Sequence, residues 1–298
     1  MIIFIIGFIF IIGLFIGSFL NVLIDRLPLE KNPWKGRSKC DFCNHSLSPL
    51  DLIPIFSFII LGGKCKYCHK KLSFQYPLIE ILTGIMYVSI FVNISKLSNV
   101  LNPFDFAQGI KLTVLNLPVL LSYLSLLVIF SSFLVIFVAD VKYQIIPDEM
   151  LVSLGVGVLL MLVSKIPAFA GMTIRGEDSS LAFGMTTGMF RIAIPYLLSG
   201  LTTGLFFLTI YLVTKRKGMG FGDVKLAPLL GLFLGFPKII VSLYIAFLTG
   251  AIFSIILIIL GKKEWKSKIA FGPFLIIGAS LSYFIGDLIT KWYMNFFL

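Results

Sequence analysis

Two kinds of residue in this sequence are placed to do chemistry: four cysteines in two CxxC pairs, and a few carboxylates at the edges of long apolar runs. Cys40-Asp-Phe-Cys43 and Cys65-Lys-Tyr-Cys68 stand 21 residues apart. Each pair turns two thiolates to one side, and two such turns can face each other around one tetrahedral metal. That pattern predicts a structural zinc site with Cys40, Cys43, Cys65 and Cys68 as ligands. Two disulfides or a redox dithiol are the alternatives, and a reducing cytoplasm disfavours the first. His45 and His69 flank the pairs and are competent ligands, but four sulfurs already complete a structural site. Such a closed site leaves no position for water or substrate, so catalysis has to be sought elsewhere.

The carboxylates are the remaining candidates, because an ionisable group inside or beside an apolar segment is costly and tends to be kept for function. Asp140 ends the run Leu-Val-Ile-Phe-Ser-Ser-Phe-Leu-Val-Ile-Phe-Val-Ala. Asp223 lies in Gly218-Met-Gly220-Phe-Gly222-Asp223-Val-Lys225, directly before another apolar run, where three glycines in five residues allow close backbone approach. Each has a plain alternative, a helix-end residue dipping into water for Asp140 and an N-cap for Asp223. If both emerge on one face they form a pair that cannot easily ionise twice, so that one holds a proton while the other activates water. Asp148, after Pro147, reads as the N-cap of the next helix. Glu80 opens the second long run, with a functional and a structural reading equally open, and Asp287 falls near the far end of the last.

The elements that must position these groups are membrane helices. The chain has 298 residues, 58% hydrophobic and 13% charged, and its apolar residues come in runs. A helix needs about 20 such residues to cross a hydrocarbon core of about 30 Å. Eight segments are expected: 2–24, 77–94, 112–139, 149–165, 191–213, 224–236, 238–260 and 269–290. The sixth is short and carries Pro228 and Gly231, which suggests a tilted, broken or re-entrant element. Residues 2–24 lack a basic leader and a small-residue cleavage site, so they read as a first spanning helix, not a signal peptide.

With the amino terminus outside, residues 25–76, 140–148, 214–223 and 261–268 with Lys225 fall on the cytoplasmic side and hold 18 of the 25 Lys and Arg residues. That asymmetry is what the positive-inside rule requires, and it accounts for the net charge of +11 without nucleic acid as a partner. The fold class is therefore all-α integral membrane, with about eight transmembrane helices and a small cytoplasmic zinc module between the first two. The expected division is 1–24 as first helix, 25–76 as four-cysteine module and 77–298 as polytopic membrane domain. Residues 166–190, with the echo Ala-Phe-Ala-Gly-Met-Thr and Ala-Phe-Gly-Met-Thr, read as an irregular outward loop.

Ordered motifs along nearly the whole chain resemble the type IV prepilin peptidases. They are Gly17-Ser18-Phe19-Leu20-Asn21-Val22 with Arg26-Leu27-Pro28, the CxxC pairs, Asp51-Leu52-Ile53-Pro54, and Tyr76-Pro77 with Glu80. They continue with Asp140 and Ile146-Pro147-Asp148, then Gly220-Phe221-Gly222-Asp223-Val224-Lys225-Leu226, then Phe271-Gly272-Pro273-Phe274. The resemblance implies an eight-helix aspartyl peptidase of the bacterial cytoplasmic (inner) membrane, with Asp140 and Asp223 catalytic at the cytoplasmic face. Its implied substrates are prepilins or type II secretion pseudopilins, cut after Gly between a short basic leader and a hydrophobic helix. It also implies N-methylation of the new amino terminus from S-adenosylmethionine, although the sequence has no Gly-rich strand-helix unit for a nucleotide. Segments 95–111 and 166–190 depart from the family pattern. The competing class is a polytopic transporter using intramembrane carboxylates, which should show repeated halves and mid-membrane acids; neither is evident here.

Overall fold

Backbone amides in a membrane have no water to bond to and must find partners along their own chain, so apolar runs of this length become helices. A computed structural model describes residues 2–40, 42–97, 117–173, 181–215, 218–261 and 270–297. Nine α-helices follow one another there: α1 Ile2–Arg26, α2 Phe56–Ile60, α3 Gln75–Leu97, α4 Leu117–Tyr143, α5 Asp148–Thr173, α6 Leu181–Val213, α7 Phe221–Leu234, α8 Lys238–Ile259 and α9 Gly272–Phe297. No strand occurs among the described residues, only two isolated bridges, Lys39 with Ser46 and Lys64 with Lys71. Eight of the helices are the eight expected segments, and the five-residue α2 is an addition between the cysteine pairs. Six helices among the described residues are long and apolar enough to cross a membrane, in α1, α3, α4, α6, α8 and α9.

Two expectations change. The irregular loop over 166–190 is largely helix, since α5 continues to Thr173 and α6 starts at Leu181, with 174–180 outside the described residues. Small apolar residues gain more by extending a helix than by leaving their amides unpaired. The short α7 is not broken either: it runs through Pro228 without interruption. Of 95–111, the residues beyond Leu97 lie outside the described residues.

The chain divides into two compact units, Met1–Leu127 and Val128–Leu298. In the first, α1 and α3 meet backbone to backbone. A Cβ on Gly13 would stand 2.6 Å from the Gly84 Cα, and one on Gly17 would stand 2.7 Å from the Glu80 Cα. Small residues four apart are how membrane helices come this close. Asn21, one turn beyond Gly17, donates from Nδ2 to the carbonyls of Tyr76 (3.1 Å) and Gly17 (3.3 Å), which fixes the register of the pair.

In the second unit α6 and α7 approach in the same way: a Cβ on Gly231 would meet the Ser199 carbonyl at 2.6 Å, and one on Gly204 the Pro228 ring at 3.2 Å. An aromatic cluster ties α4, α7 and α9 together, with ring centroids 5.7 Å apart for Phe133 and Phe233 and 5.3 Å for Phe233 and Tyr283. Phe133 stands two turns before Asp140 on the same face of α4. The cluster therefore anchors the helix that carries that carboxylate.

Candidate active site and metal centre

Asp140 sits one turn from the end of α4. The helix stops where Gln144 takes a left-handed conformation (φ 56°) and donates its N–H to the Asp140 carbonyl at 3.0 Å. The chain then turns through Ile145, Ile146 and Pro147 into α5. Asp223 lies in the first turn of α7, whose N-cap is Gly220 and not Asp223 itself. From the third helical position its carboxylate reaches back to the Gly220 N–H, as a carboxylate does in a capping box.

Both side chains are buried, at 5% exposed for Asp140 and 6% for Asp223. They lie close enough for the charge of Asp140 to act on Asp223. The structure thus brings the two predicted carboxylates together, and two glycines make the room. A Cβ on Gly272 would stand 2.5 Å from Asp140 Oδ2, and one on Gly222 would meet the Ile146 side chain at 3.1 Å. The Ile146 Cδ1 in turn lies 3.3 Å from where a Gly272 Cβ would be. The Ile-Pro-Asp, Gly-x-Gly-Asp and Phe-Gly-Pro-Phe segments therefore converge on one pair. Asp140 Oδ2 has no hydrogen-bond partner within the protein, although it is buried. Such an oxygen is available to a water or to a shared proton.

Asp148 is the first residue of α5, and its carboxylate takes a part the sequence reading missed. It pairs with Lys225 Nζ at 2.7 and 2.9 Å, which ties the segment after α4 to the first turn of α7 two residues beyond Asp223. The spacing Asp-Val-Lys was the available signal, since it puts a cation just outside the pair. Asp287 is paired with Lys238 at 2.7 Å. Glu80 belongs to the first unit, is 6% exposed, and accepts the Ile55 N–H at 2.7 Å.

The four cysteines are free thiols, and their sulfurs lie within 4.8 Å of one another. Cys40 Sγ and Cys68 Sγ are 3.8 Å apart. Zn–S bonds of about 2.3 Å in a tetrahedron put sulfurs about 3.8 Å apart, so the donor set fits zinc. The two knuckles repeat each other. Asn44 and His69 are left-handed (φ 54° and 57°) and donate to the Cys40 and Cys65 carbonyls, while Cys40 and Cys65 donate to the carbonyls of His45 and Lys70. Backbone amides of Cys68 and Tyr67 hold the Cys65 thiol below the usual thiol range, toward the thiolate a metal requires, while its sulfur neighbours push the Cys68 thiol up. His45 lies against the Tyr67 ring at 3.7 Å between centroids, and neither His belongs to the sulfur cluster. Between the knuckles Ser48 and Asp51 form a capping box, and Tyr67 donates its hydroxyl to Asp51 at 3.3 Å. The described residues hold no strand-helix nucleotide unit for the methyl donor.

Comparison with known proteins divides the chain as its packing does. The Bacterial Peptidase A24 N-terminal domain matches residues 11–94, and the Type IV leader peptidase family matches residues 127–255. Over these two regions the chain is similar to the type IV leader peptidase family. A prepilin leader peptidase/N-methyltransferase of Bacillus subtilis (strain 168) is 27% identical over 287 residues, 96% of each chain. Proteins of the same name are 28% identical in Aeromonas hydrophila, over 97% of this chain and 94% of that one, and 29% identical in Pectobacterium carotovorum subsp. carotovorum, over 90% and 88%. No solved structure matches the chain.

Proposed function

We propose that this protein is a multi-pass enzyme of the bacterial inner membrane that cuts the leader from prepilins or pseudopilins after Gly, with Asp140 and Asp223 as its catalytic pair at the cytoplasmic face. The observation that carries the reading is the meeting of these two buried carboxylates in a cradle built from three separate sequence motifs. One carboxylate takes a proton from a water held between them, and the water oxygen attacks the carbonyl carbon of the scissile Gly. The other donates its proton toward that carbonyl as the tetrahedral intermediate forms. Collapse breaks the C–N bond and returns a proton to the leaving amine. Gly222 and Gly272 let Ile146 and the Asp140 carboxylate come in close, which holds the pair in place for an extended Gly-containing backbone.

The curated relatives also bear the name N-methyltransferase, and we carry that second activity over on resemblance, with S-adenosylmethionine as the donor and no site assigned to it. We assign a structural zinc ion to Cys40, Cys43, Cys65 and Cys68, where it would close the two knuckles on each other; the clustering of the four sulfurs supports this. A prepilin-like peptide incubated with the purified protein in detergent and analysed by mass tests the proposal. Leader loss after Gly is expected, with a gain of one methyl group when the donor is present. An intact peptide with wild-type protein, in a preparation that retains zinc and fold, would remove the reading.

A further inference from the structure

The stretch Leu50 to Leu61 is the one part of the polar region between α1 and α3 that is itself apolar, and its outer face is uncovered. Leu50 is 74% exposed, Phe56 61%, Ile59 69% and Ile60 65%. Its inner face is packed: the Phe58 ring lies over Gly63 and meets the Phe74 ring edge-on at 6.3 Å. Phe74 is itself exposed and stands one residue before the membrane span that begins at Gln75. The outward stripe of α3 continues from it through Leu78, Leu82 and Ile85, all exposed. The patch on α2 is therefore continuous with a lipid-facing helix surface.

The height of the segment is fixed by Glu80. Its carboxylate takes the Ile55 N–H five residues inside the span, about 7 Å along the helix. Ile55 has a positive φ (60°, with ψ −48°) that a β-branched residue adopts only under constraint, in a tight turn where Phe56 N–H bonds back to the Pro54 carbonyl. Irregular backbone at membrane depth persists only where the protein satisfies its amides, and a buried acceptor at Glu80 does that here. Lys64, Lys66, Lys70 and Lys71 of the second knuckle, which follows the patch in the chain, are exposed and suit anionic headgroups.

We propose that residues 50–61 are a shallow bilayer-inserted foot, with the apolar face of α2 in the acyl-headgroup boundary and the two knuckles above it in water. The occupant of the exposed patch is lipid. The inference depends on α1 and α3 spanning the membrane and not on the peptidase reading.

The test uses the full-length protein in phosphatidylethanolamine–phosphatidylglycerol vesicles containing a lipid with a carbene-generating acyl chain, with labelled peptides identified by mass. The peptide covering 56–60 is expected to take label within about twofold of that covering Leu78 and Leu82, and at least about threefold more than that covering Lys66 and Tyr67. The double variant Ile59→Ser, Ile60→Ser should lose most of the label while keeping its zinc. No label at 56–60 with normal label on α3 would overturn the proposal. Label displaced by a prepilin-like peptide would also overturn it and make the patch a substrate surface. Label that falls as protein is concentrated in the membrane would overturn it in favour of a second copy.

Discussion

Exchanging one carboxylate oxygen for nitrogen is the smallest change that tests the pair. Asp140→Asn and Asp223→Asn should each lower cleavage at least about a thousandfold with the protein still folded and inserted, because an amide neither takes the proton of water nor shares one with its partner. The double variant should be no worse than either single one, since groups that act as a unit are not additive. Cleavage of the prepilin-like peptide, beside melting in detergent, reads both. Gly272→Ala puts a methyl group 2.5 Å from Asp140 Oδ2, so its cleavage rate should fall at least about tenfold while stability changes by no more than about 3 kcal/mol. Lys225→Ala breaks a half-exposed ion pair, whose loss costs at most about 1 kcal/mol of stability. The same pair joins the two segments that hold the carboxylates, so the cleavage rate should drop about three- to tenfold, and Asp148→Ala in the same chain should add little.

The elements that hold these residues are separable in their effects. Chelation, or Cys40→Ser with Cys65→Ser, should release zinc and loosen residues 25–76 without abolishing cleavage, because a closed four-sulfur site supports folding and does not touch the bond. Zinc content, cleavage and amide exchange on one preparation check this; complete loss of cleavage in folded protein would give the module a direct role. Within the module, the Ser48 backbone amide holds the Asp51 carboxyl below the usual carboxylate range. A depressed carboxyl contributes stability above its unfolded pKa and loses it as the pH falls through the folded one. Amide exchange at 48–53 should therefore quicken only on the acid side, and Asp51→Asn should remove the part of that dependence not due to zinc loss. The α6–α7 contact is less forgiving. Gly200→Leu drives a side chain into Leu232 and the Pro228 carbonyl and should lower melting in detergent.

For the whole molecule the decisive quantity is which way the helices run. Impermeant thiol reagents should reach cysteines introduced at 142 and 214 from the cytoplasm and one at 236 from outside, given the asymmetry of basic residues and the placement of 236 between α7 and α8. The reverse pattern would put Asp140 and Asp223 on the face that a cytoplasmic leader never reaches.

By itself the sequence determined the helical class, the eight apolar segments, the two CxxC pairs and the two candidate carboxylates. Each of these rests on one residue's cost in lipid or on a spacing within one segment, and both are local. Tertiary structure alone decided what each group touches: that Asp148 is taken by Lys225, that Glu80 serves the Ile55 amide, and that Gly222 and Gly272 exist to admit Ile146 and a carboxylate. It also decided that 166–173 and 181–190 are helix and that the apolar stretch 50–61 faces outward. The first depends on hydrogen bonds that a weakly periodic sequence does not advertise. The second depends on how a short run packs, with a buried carboxylate from another helix holding its Ile55 amide.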